Sequence, residues 1–132
     1  MRCFVDTNVL LYALSGHDSE RAKREQARAL LMAEPFGVSV QVLQEFYVNA
    51  RKGNVGADDL DAMLAQLRRV PVVENTLALF DRALAVHQRF GISYWDASIV
   101  AAAQELGAKT LYSENLSHGQ HYGAVQVLNP FA

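Results

Sequence analysis

The chain contains a single cysteine, Cys3, and only three prolines and four histidines among its 132 residues. One cysteine excludes an internal disulfide and any cysteine-rich zinc site, and its place in an apolar run predicts a buried thiol. Long apolar runs are also missing, and the N-terminus carries one arginine before a short apolar stretch. We therefore expect no signal peptide, no membrane span and a location in the reducing cytoplasm.

The chain also has no large excess of basic or of acidic residues. The chain has 12 Lys and Arg residues and 14 Asp and Glu residues, which gives a formal net charge of −2. Any binding of nucleic acid must therefore depend on a local basic patch. A hydrophobic content of 51% argues against disorder, and 132 residues are enough for one packed core. We expect a single domain over residues 1–132.

The most informative stretch is FVDTNVLLYAL, residues 4–14, in which an apolar run ends in Asp6. Residues 3–5 are typical of a buried parallel strand, and Thr7 or Asn8 is predicted to cap the helix that follows. Asp6 would then lie at the carboxyl edge of a strand, where ligands and reaction chemistry collect in open α/β sheets. Taken alone, the stretch also fits a plain capping role for this acid.

Short apolar runs alternate with helical patterns through much of the chain. The predicted strands cover residues 3–5, 36–40, 70–73, 109–113 and 125–128. Helices are predicted between them, with Gly91 and Gly107 as the terminators of the last two. This alternation predicts a three-layer α/β/α sandwich with a mostly parallel central sheet.

The helix before Pro35 carries a basic stripe, because Arg21, Arg24 and Arg28 recur at three- and four-residue spacing. Most such stripes are solvated surface, and the functional alternative is contact with RNA phosphates or with a partner's acidic face. The expected apolar face of this helix is Ala22, Ala29, Leu30 and Ala33. For the later helix that ends at Gly91, the expected apolar residues are Leu77, Phe80, Leu84 and Val86.

Two further acids occupy helices. Glu45 lies in QVLQEFYVNARK, where its one-turn neighbours include Val42 and Val48, so its carboxylate leaves the helix beside apolar surface. The simpler interpretation is that Glu45 is a half-exposed residue in a segment that strongly favours helix. Asp96 lies in ISYWDASIVAAAQELG, where Ser93 and Asp96 fit a capping box that would by itself justify the acid.

Glu114 and Asn115 follow the strand 109–113, so Asp6, Asp96 and Glu114 would share one sheet edge if the strands are parallel. Two carboxylates about 5 Å apart repel by roughly 3 kcal/mol at an effective dielectric near 20, which calls for protonation or a cation. Ligands that are all oxygen favour Mg²⁺ or Mn²⁺ over zinc. Such an ion suits the hydrolysis of a phosphodiester.

The order FVDTNVLLY, VLQEF, YWDASIVAAA and LYSENLSHGQ resembles the PIN domain, specifically the VapC-type toxins of type II toxin–antitoxin modules. The resemblance extends over essentially the whole chain. It implies an endoribonuclease that depends on Mg²⁺, with Mn²⁺ able to substitute, and that forms a homodimer inhibited by a cognate antitoxin. Residues that match the family's catalytic, metal-binding acids are Asp6, Glu45 and Asp96, and those that match its supporting polar residues are Thr7, Asn8 and Ser113.

The chain departs from the family pattern after Glu114, where an Asp is usual and Asn115 is found. Asn offers a carbonyl oxygen to a metal but no charge, so either Asn115 or Glu114 fills the fourth ligand position. The competing function is an acidic-pocket domain that binds Mg²⁺ or a partner without nuclease activity. Phe46, Tyr47 and the helix over 22–33 are candidate contacts for the second subunit or the antitoxin.

Overall fold

The structure is a computed structural model that describes residues 3–53 and 55–132. Its strands are β1 (Cys3–Val5), β2 (Phe36–Ser39), β3 (Val72–Val73), β4 (Thr110–Tyr112), β5 (His121–Tyr122) and β6 (Val125–Leu128). Its α-helices are α1 (Thr7–Ala13), α2 (Arg21–Ala33), α3 (Val40–Lys52), α4 (Ala57–Leu67), α5 (Leu77–Phe90) and α6 (Tyr94–Leu106). A short 3₁₀ helix, Asp18–Glu20, precedes α2.

The strands form one sheet in the order β3-β2-β1-β4-β6-β5. Strand β1 pairs in parallel with β2 on one side and with β4 on the other, and within the described residues only the β5–β6 pair is antiparallel. The predicted mostly parallel sheet is confirmed. The strand order reverses between β1 and β4, because the chain goes outward from β1 to β3 and then returns to the far side of β1. Ligand crevices form at such a switch point.

Helices cover both faces of the sheet. Helix α1 packs against α2 and α3, and α4 packs against α3, whereas α5 packs against α6, which lies across five of the strands. Right-handed crossovers place connecting helices on opposite faces when the strand order reverses direction. The predicted three-layer sandwich is confirmed. Its core is filled by strand residues such as Phe4, Val38 and Leu111, which are fully buried.

The N-terminus of α1 differs from the prediction by one residue. Asp6, and not Thr7 or Asn8, is the cap, since its Oδ1 accepts a hydrogen bond of 2.7 Å from the Thr7 backbone N–H. The change leaves the Thr7 and Asn8 side chains free to reach neighbouring segments. The cap of α6 at Ser93 is as predicted, and Ser39 caps α3 in the same way.

The predicted apolar face of α2 is partly wrong. Ala22, Ala29 and Ala33 are exposed and Ala27 is buried, whereas Leu30 packs against the core as predicted. On the side facing α1, Arg24 Nη1 donates to the Ser15 carbonyl at 2.9 Å, and Arg28 Nε donates to the Ala13 carbonyl at 2.7 Å. These carbonyls lie at the C-terminal end of α1, where backbone acceptors lack partners within the helix. The two arginines therefore tie α2 to the end of α1, in addition to the apolar packing of α2 against the core.

The predicted apolar face of α5 is also partly wrong. Leu77 is 76% exposed and Phe80 is 46% exposed, whereas the buried stripe is Leu79, Ala83 and Val86. This stripe has the spacing of one helix face, and it is the face that packs toward α6. Leu77 and Phe80 lie off that face.

Two glycines fix the position of α6. Gly91 ends α5 in the left-handed conformation, with φ of 69°, as predicted. In β2, a Cβ added to Gly37 would lie 2.6 Å from Leu106 Cδ2, so glycine permits α6 to approach the sheet closely. Among the helices of the described ranges, none has both the length and the apolar character needed to cross a membrane.

Candidate active site

A cavity of about 270 Å³ opens at the carboxyl edge of the sheet, beside the switch point between β1 and β4. Its walls come from the start of α1, the middle of α3, the first turn of α6 and the segment after β4. Asp6, Glu45 and Asp96 all line it. Acids from three separate segments of the sequence are thus brought into one cavity.

Asp6 is the most buried of the three acids, with 5% of its surface exposed. Its Oδ2 accepts a hydrogen bond of 2.7 Å from the Ser113 hydroxyl, and its Oδ1 caps α1. Burial raises the pKa of Asp6 to about 6, against the opposing effect of the hydrogen bonds from Ser113 and Thr7 and with some help from the charges of Glu45 and Asp96. The cavity therefore disfavours a third negative charge unless a proton or a cation compensates it.

Both carboxylate oxygens of Glu45 are held by hydrogen bonds. The Thr7 hydroxyl donates to Oε1 at 2.7 Å, and Gln41 Nε2 lies 3.3 Å from Oε2. Gln41 Nε2 also donates to the Trp95 backbone carbonyl at 3.3 Å, so this amide links α3 to the first turn of α6. Gln41 was not predicted as a site residue. The available signal was its place one helical turn before Glu45, on the same face.

Asp96 is half-buried in the first turn of α6. Its backbone N–H donates to the Ser93 hydroxyl at 3.1 Å, so Ser93 caps the helix as predicted. The Asp96 carboxylate itself lines the cavity. Capping is thus performed by the serine, and the aspartate side chain is available for another role.

The segment after β4 is tied to the start of α1. The Ser113 hydroxyl, which donates to Asp6, accepts from the Asn115 backbone N–H at 3.1 Å. Asn8 Oδ1 accepts from the Glu114 backbone N–H at 3.2 Å. These bonds between distant parts of the sequence hold Asp6 and the turn after β4 in fixed relation.

Glu114 and Asn115 face different surroundings. Asn115 lines the cavity, and Glu114 does not. Lys23 Nζ lies 2.5 Å from Glu114 Oε2, and the Tyr12 hydroxyl donates to Oε1 at 2.7 Å. Although burial alone would raise the pKa of Glu114, these two hydrogen bonds outweigh it and hold the pKa below its usual value. Glu114 is thus paired outside the cavity, and the geometry favours Asn115 as the fourth position.

This difference predicts opposite results for two substitutions. Asn115→Asp adds a carboxylate at the cavity and should tighten Mg²⁺ binding by about tenfold. Glu114→Gln removes a charge that is already paired outside the cavity, so Mg²⁺ affinity should stay within about twofold while stability falls by at most about 1 kcal/mol. Calorimetric titration of Mg²⁺ into each variant measures both effects. Weaker Mg²⁺ binding by Glu114→Gln than by wild type would return Glu114 to the metal site.

The arginines of α2 do not reach the cavity. Arg21, Arg24 and Arg28 are absent from its lining, and two of them are engaged at the end of α1. Contact of these residues with RNA stays a prediction. Phe46 is fully buried in the core, so it is not available as a surface contact, whereas Tyr47 is 44% exposed.

The donors in the cavity fit a hard divalent cation. The ionisable residues of its lining are carboxylates only, with amide and hydroxyl groups beside them. Oxygen donors of this kind suit Mg²⁺ or Mn²⁺, which keep part of their water shell. In residues 3–53 and 55–132, no three His, Cys, Asp or Glu side chains lie close enough together to hold a metal ion by themselves.

Three solved structures share this fold. A toxin–antitoxin complex from Klebsiella pneumoniae contains a chain that is 22% identical, with a TM-score of 0.74 and 97% of each chain covered. The Mycobacterium tuberculosis toxin VapC20, which cleaves the sarcin–ricin loop, is 23% identical, with a TM-score of 0.69 over 86% of this chain and 89% of that one. VapBC2 from Rickettsia felis, bound to a promoter DNA fragment, is 17% identical, with a TM-score of 0.66 over 96% and 97%.

No curated protein matches the sequence. The family model of the PIN domain matches residues 3–119. This range begins at β1 and includes the cavity residues Asp6, Glu45, Asp96 and Asn115. On this match, which extends over most of the chain and agrees with the observed fold, the protein belongs to the PIN domain family.

Proposed function

We propose that this protein is a Mg²⁺-dependent endoribonuclease that acts as the toxin of a toxin–antitoxin module. The observation that carries the proposal is the convergence of Asp6, Glu45 and Asp96 in one cavity whose ligands are all oxygen. Membership of the PIN family supports a nuclease function. The proposal adds two points to a nuclease function: the substrate is RNA, and the ion is Mg²⁺.

Asp6, Glu45, Asp96 and the Asn115 carbonyl are the groups that would hold the ion. When bound, Mg²⁺ stabilises charge on the phosphate and lowers the pKa of a water molecule. Thr7 and Gln41 keep the Glu45 carboxylate oriented toward the cavity. This support limits the reorganisation needed when substrate enters.

Protons and phosphate oxygens can be handled by side chains at the mouth of the cavity. The half-buried Asp96 carboxylate is accessible to water and can accept a proton from the attacking water molecule. Asn8 and Asn49 line the same cavity and can donate amide hydrogens to phosphate oxygens. The chain thus offers both a proton acceptor and uncharged donors around the reacting phosphate.

The proposed partners are a cognate antitoxin and a second copy of the chain. Support comes from the solved toxin–antitoxin structures with the same fold. Tyr47 and Val48, both nearly half exposed on α3, are apolar residues available for such a contact. Coexpression with the adjacent small gene product should suppress RNA cleavage, and light scattering at micromolar concentration should give the mass of a dimer.

A buried lone thiol at Cys3 fits the proposed cytoplasmic location.

Removal of divalent ions tests the proposed reaction. Excess EDTA should reduce cleavage of labelled RNA by about 10²-fold or more, because the proposed charge stabilisation depends on the ion. Added Mg²⁺ or Mn²⁺ should restore it. Asp6→Asn protein purified in parallel controls for contaminating ribonucleases. Full activity in EDTA would contradict the proposal.

Asn115 favours a second candidate, a domain that binds Mg²⁺ or a partner in its acidic cavity without cleaving RNA. This residue lines the cavity and brings no charge to it, so the cavity has three acids only among its described lining residues. Mapping new RNA ends in cells that express the chain with and without its neighbouring gene product separates the two functions. Mg²⁺ binding by calorimetry without new RNA ends would support the second.

A further inference from the structure

A smaller groove of about 160 Å³ lies directly beside the acid cavity. It is formed by α3, the start of α5 and the first turn of α6. Gln41 and Trp95 line both the groove and the acid cavity, so the two spaces adjoin and share these residues as a wall. A chain-like ligand bound at the acids could therefore extend into the groove.

The groove contains three aromatic side chains, of which Tyr94 contacts the other two. The Tyr94 and Trp95 rings are 5.2 Å apart in an edge-to-face arrangement, and the Phe80 and Tyr94 rings are 5.9 Å apart. Trp95 is nevertheless 66% exposed and Phe80 is 46% exposed. Edge contacts with Tyr94 limit the motion of the Trp95 ring while leaving much of its surface open to solvent. The cluster thus presents an aromatic surface that Tyr94 helps to hold in place and that is partly open to solvent.

Apart from Leu79, the rest of the groove is polar but uncharged. Amide and hydroxyl groups from Gln44, Asn75 and Ser98 surround the aromatic rings, and no described residue of the lining carries a charge. Such a lining offers nothing to neutralise a phosphate. It suits a flat, neutral ligand that has a π face for stacking and polar edges for hydrogen bonds.

We propose that Trp95, supported by Tyr94 and Phe80, forms a stacking subsite for an unpaired nucleobase next to the phosphodiester that is cleaved. The inference rests on the proposed action on RNA. Trp95 directly precedes Asp96 in the chain, so neighbouring residues would hold the base and face the phosphate. Paired bases in an A-form helix are stacked inside it, so the subsite selects single-stranded loops or ends.

An apolar protein partner is the competing occupant, since Leu77 is also exposed at the start of α5. The amide-rich lining and the position next to the acid cavity favour the base. Protein interfaces have apolar, well-packed centres, whereas this groove has amides around its aromatic rings. The experiment below separates the two occupants.

Trp95 is the sole tryptophan of the chain, so its fluorescence reports on the groove directly. In EDTA, a single-stranded hexaribonucleotide should quench this fluorescence in a saturable manner, and the same sequence in a duplex should bind about tenfold more weakly. By fluorescence anisotropy of labelled RNA, Trp95→Ala should weaken binding by about tenfold, and Trp95→Phe should recover part of the loss. Met32→Ala, at an 89% exposed position at the opposite edge of the sheet, is the matched control and should bind as wild type.

Kinetics with Mg²⁺ add a second measurement. Trp95→Ala should raise KM by about tenfold and lower kcat much less, because the ring contacts a base rather than the reacting atoms. One abasic nucleotide beside the cut should reproduce this loss in wild type and add little in Trp95→Ala.

Two other results would each contradict one of the two proposals. Unchanged RNA affinity in Trp95→Ala overturns the subsite, and if light scattering also shows that this variant converts a dimer to a monomer, the face is an interface between copies. A different result is that RNA quenches the fluorescence and Trp95→Ala lowers affinity tenfold, but no tested RNA is cleaved in Mg²⁺. This result would contradict the proposed nuclease function and still support the base subsite.

Discussion

Replacement of Asp6 or Asp96 by asparagine is expected to lower the single-turnover rate of RNA cleavage by about 10²- to 10³-fold. Each substitution removes one negative charge from the proposed ion site and changes the side-chain shape very little. The loss should persist at saturating Mg²⁺ if the carboxylates act in the reaction as well as in binding.

These variants should keep their fold, which makes the rate loss interpretable. Asn at position 6 can still accept the bond from the Thr7 backbone N–H, and at position 96 the helix is capped by Ser93. The matched control is Asp58→Asn, the same change at an exposed first-turn position of α4. It should cleave RNA at the wild-type rate. Normal activity in Asp96→Asn, with an unchanged circular dichroism spectrum, would assign that acid a purely structural role.

Asp6→Asn is also expected to stabilise the metal-free protein at pH 7. Folding raises the pKa of Asp6 from about 3.8 to about 6, so the folded state binds this proton more tightly than the unfolded state does. The contribution of Asp6 to the free energy of unfolding therefore falls as pH rises from about 4 to about 6. Above that range Asp6 is charged in the folded state, and the full cost of burying this charge lowers stability. At 1.36 kcal/mol per pKa unit, that cost is about 3 kcal/mol as an upper limit, and we expect a gain of about 1 to 3 kcal/mol.

Urea unfolding in EDTA at pH 7 and at pH 4 measures the effect. Asp6→Asn should exceed wild type in unfolding free energy at pH 7 and lose most of that advantage at pH 4. Added Mg²⁺ should then stabilise wild type more than the variant, because the ion binds the charged site in the folded state. Equal responses to Mg²⁺ in both proteins would argue against an ion site at Asp6. Asp58→Asn again serves as the control and should match wild type in its response to Mg²⁺.

The sequence by itself determined the features that depend on neighbouring residues. Strand β1 followed by an acid and a helix, the cap at Ser93 and the terminator at Gly91 are encoded within one or two turns of chain. The alternation of strands and helices, with the handedness of crossovers, then gave the layered parallel sheet. Because parallel strands end at a common edge, the convergence of Asp6 with the segment after β4 was also predictable.

The tertiary structure alone decided what the long side chains do. Lys23 pairs with Glu114 across 91 residues of sequence, and this pairing draws Glu114 away from the cavity that Asn115 lines. Arg28 binds a carbonyl of α1, and packing against α6 leaves Phe80 exposed beside Trp95. Flexible side chains reach partners that no local pattern specifies, and the exposed face of a helix depends on which neighbour packs against it. For this reason the sequence placed the acids at the sheet edge, whereas packing determined the fourth position of the site and the aromatic groove beside it.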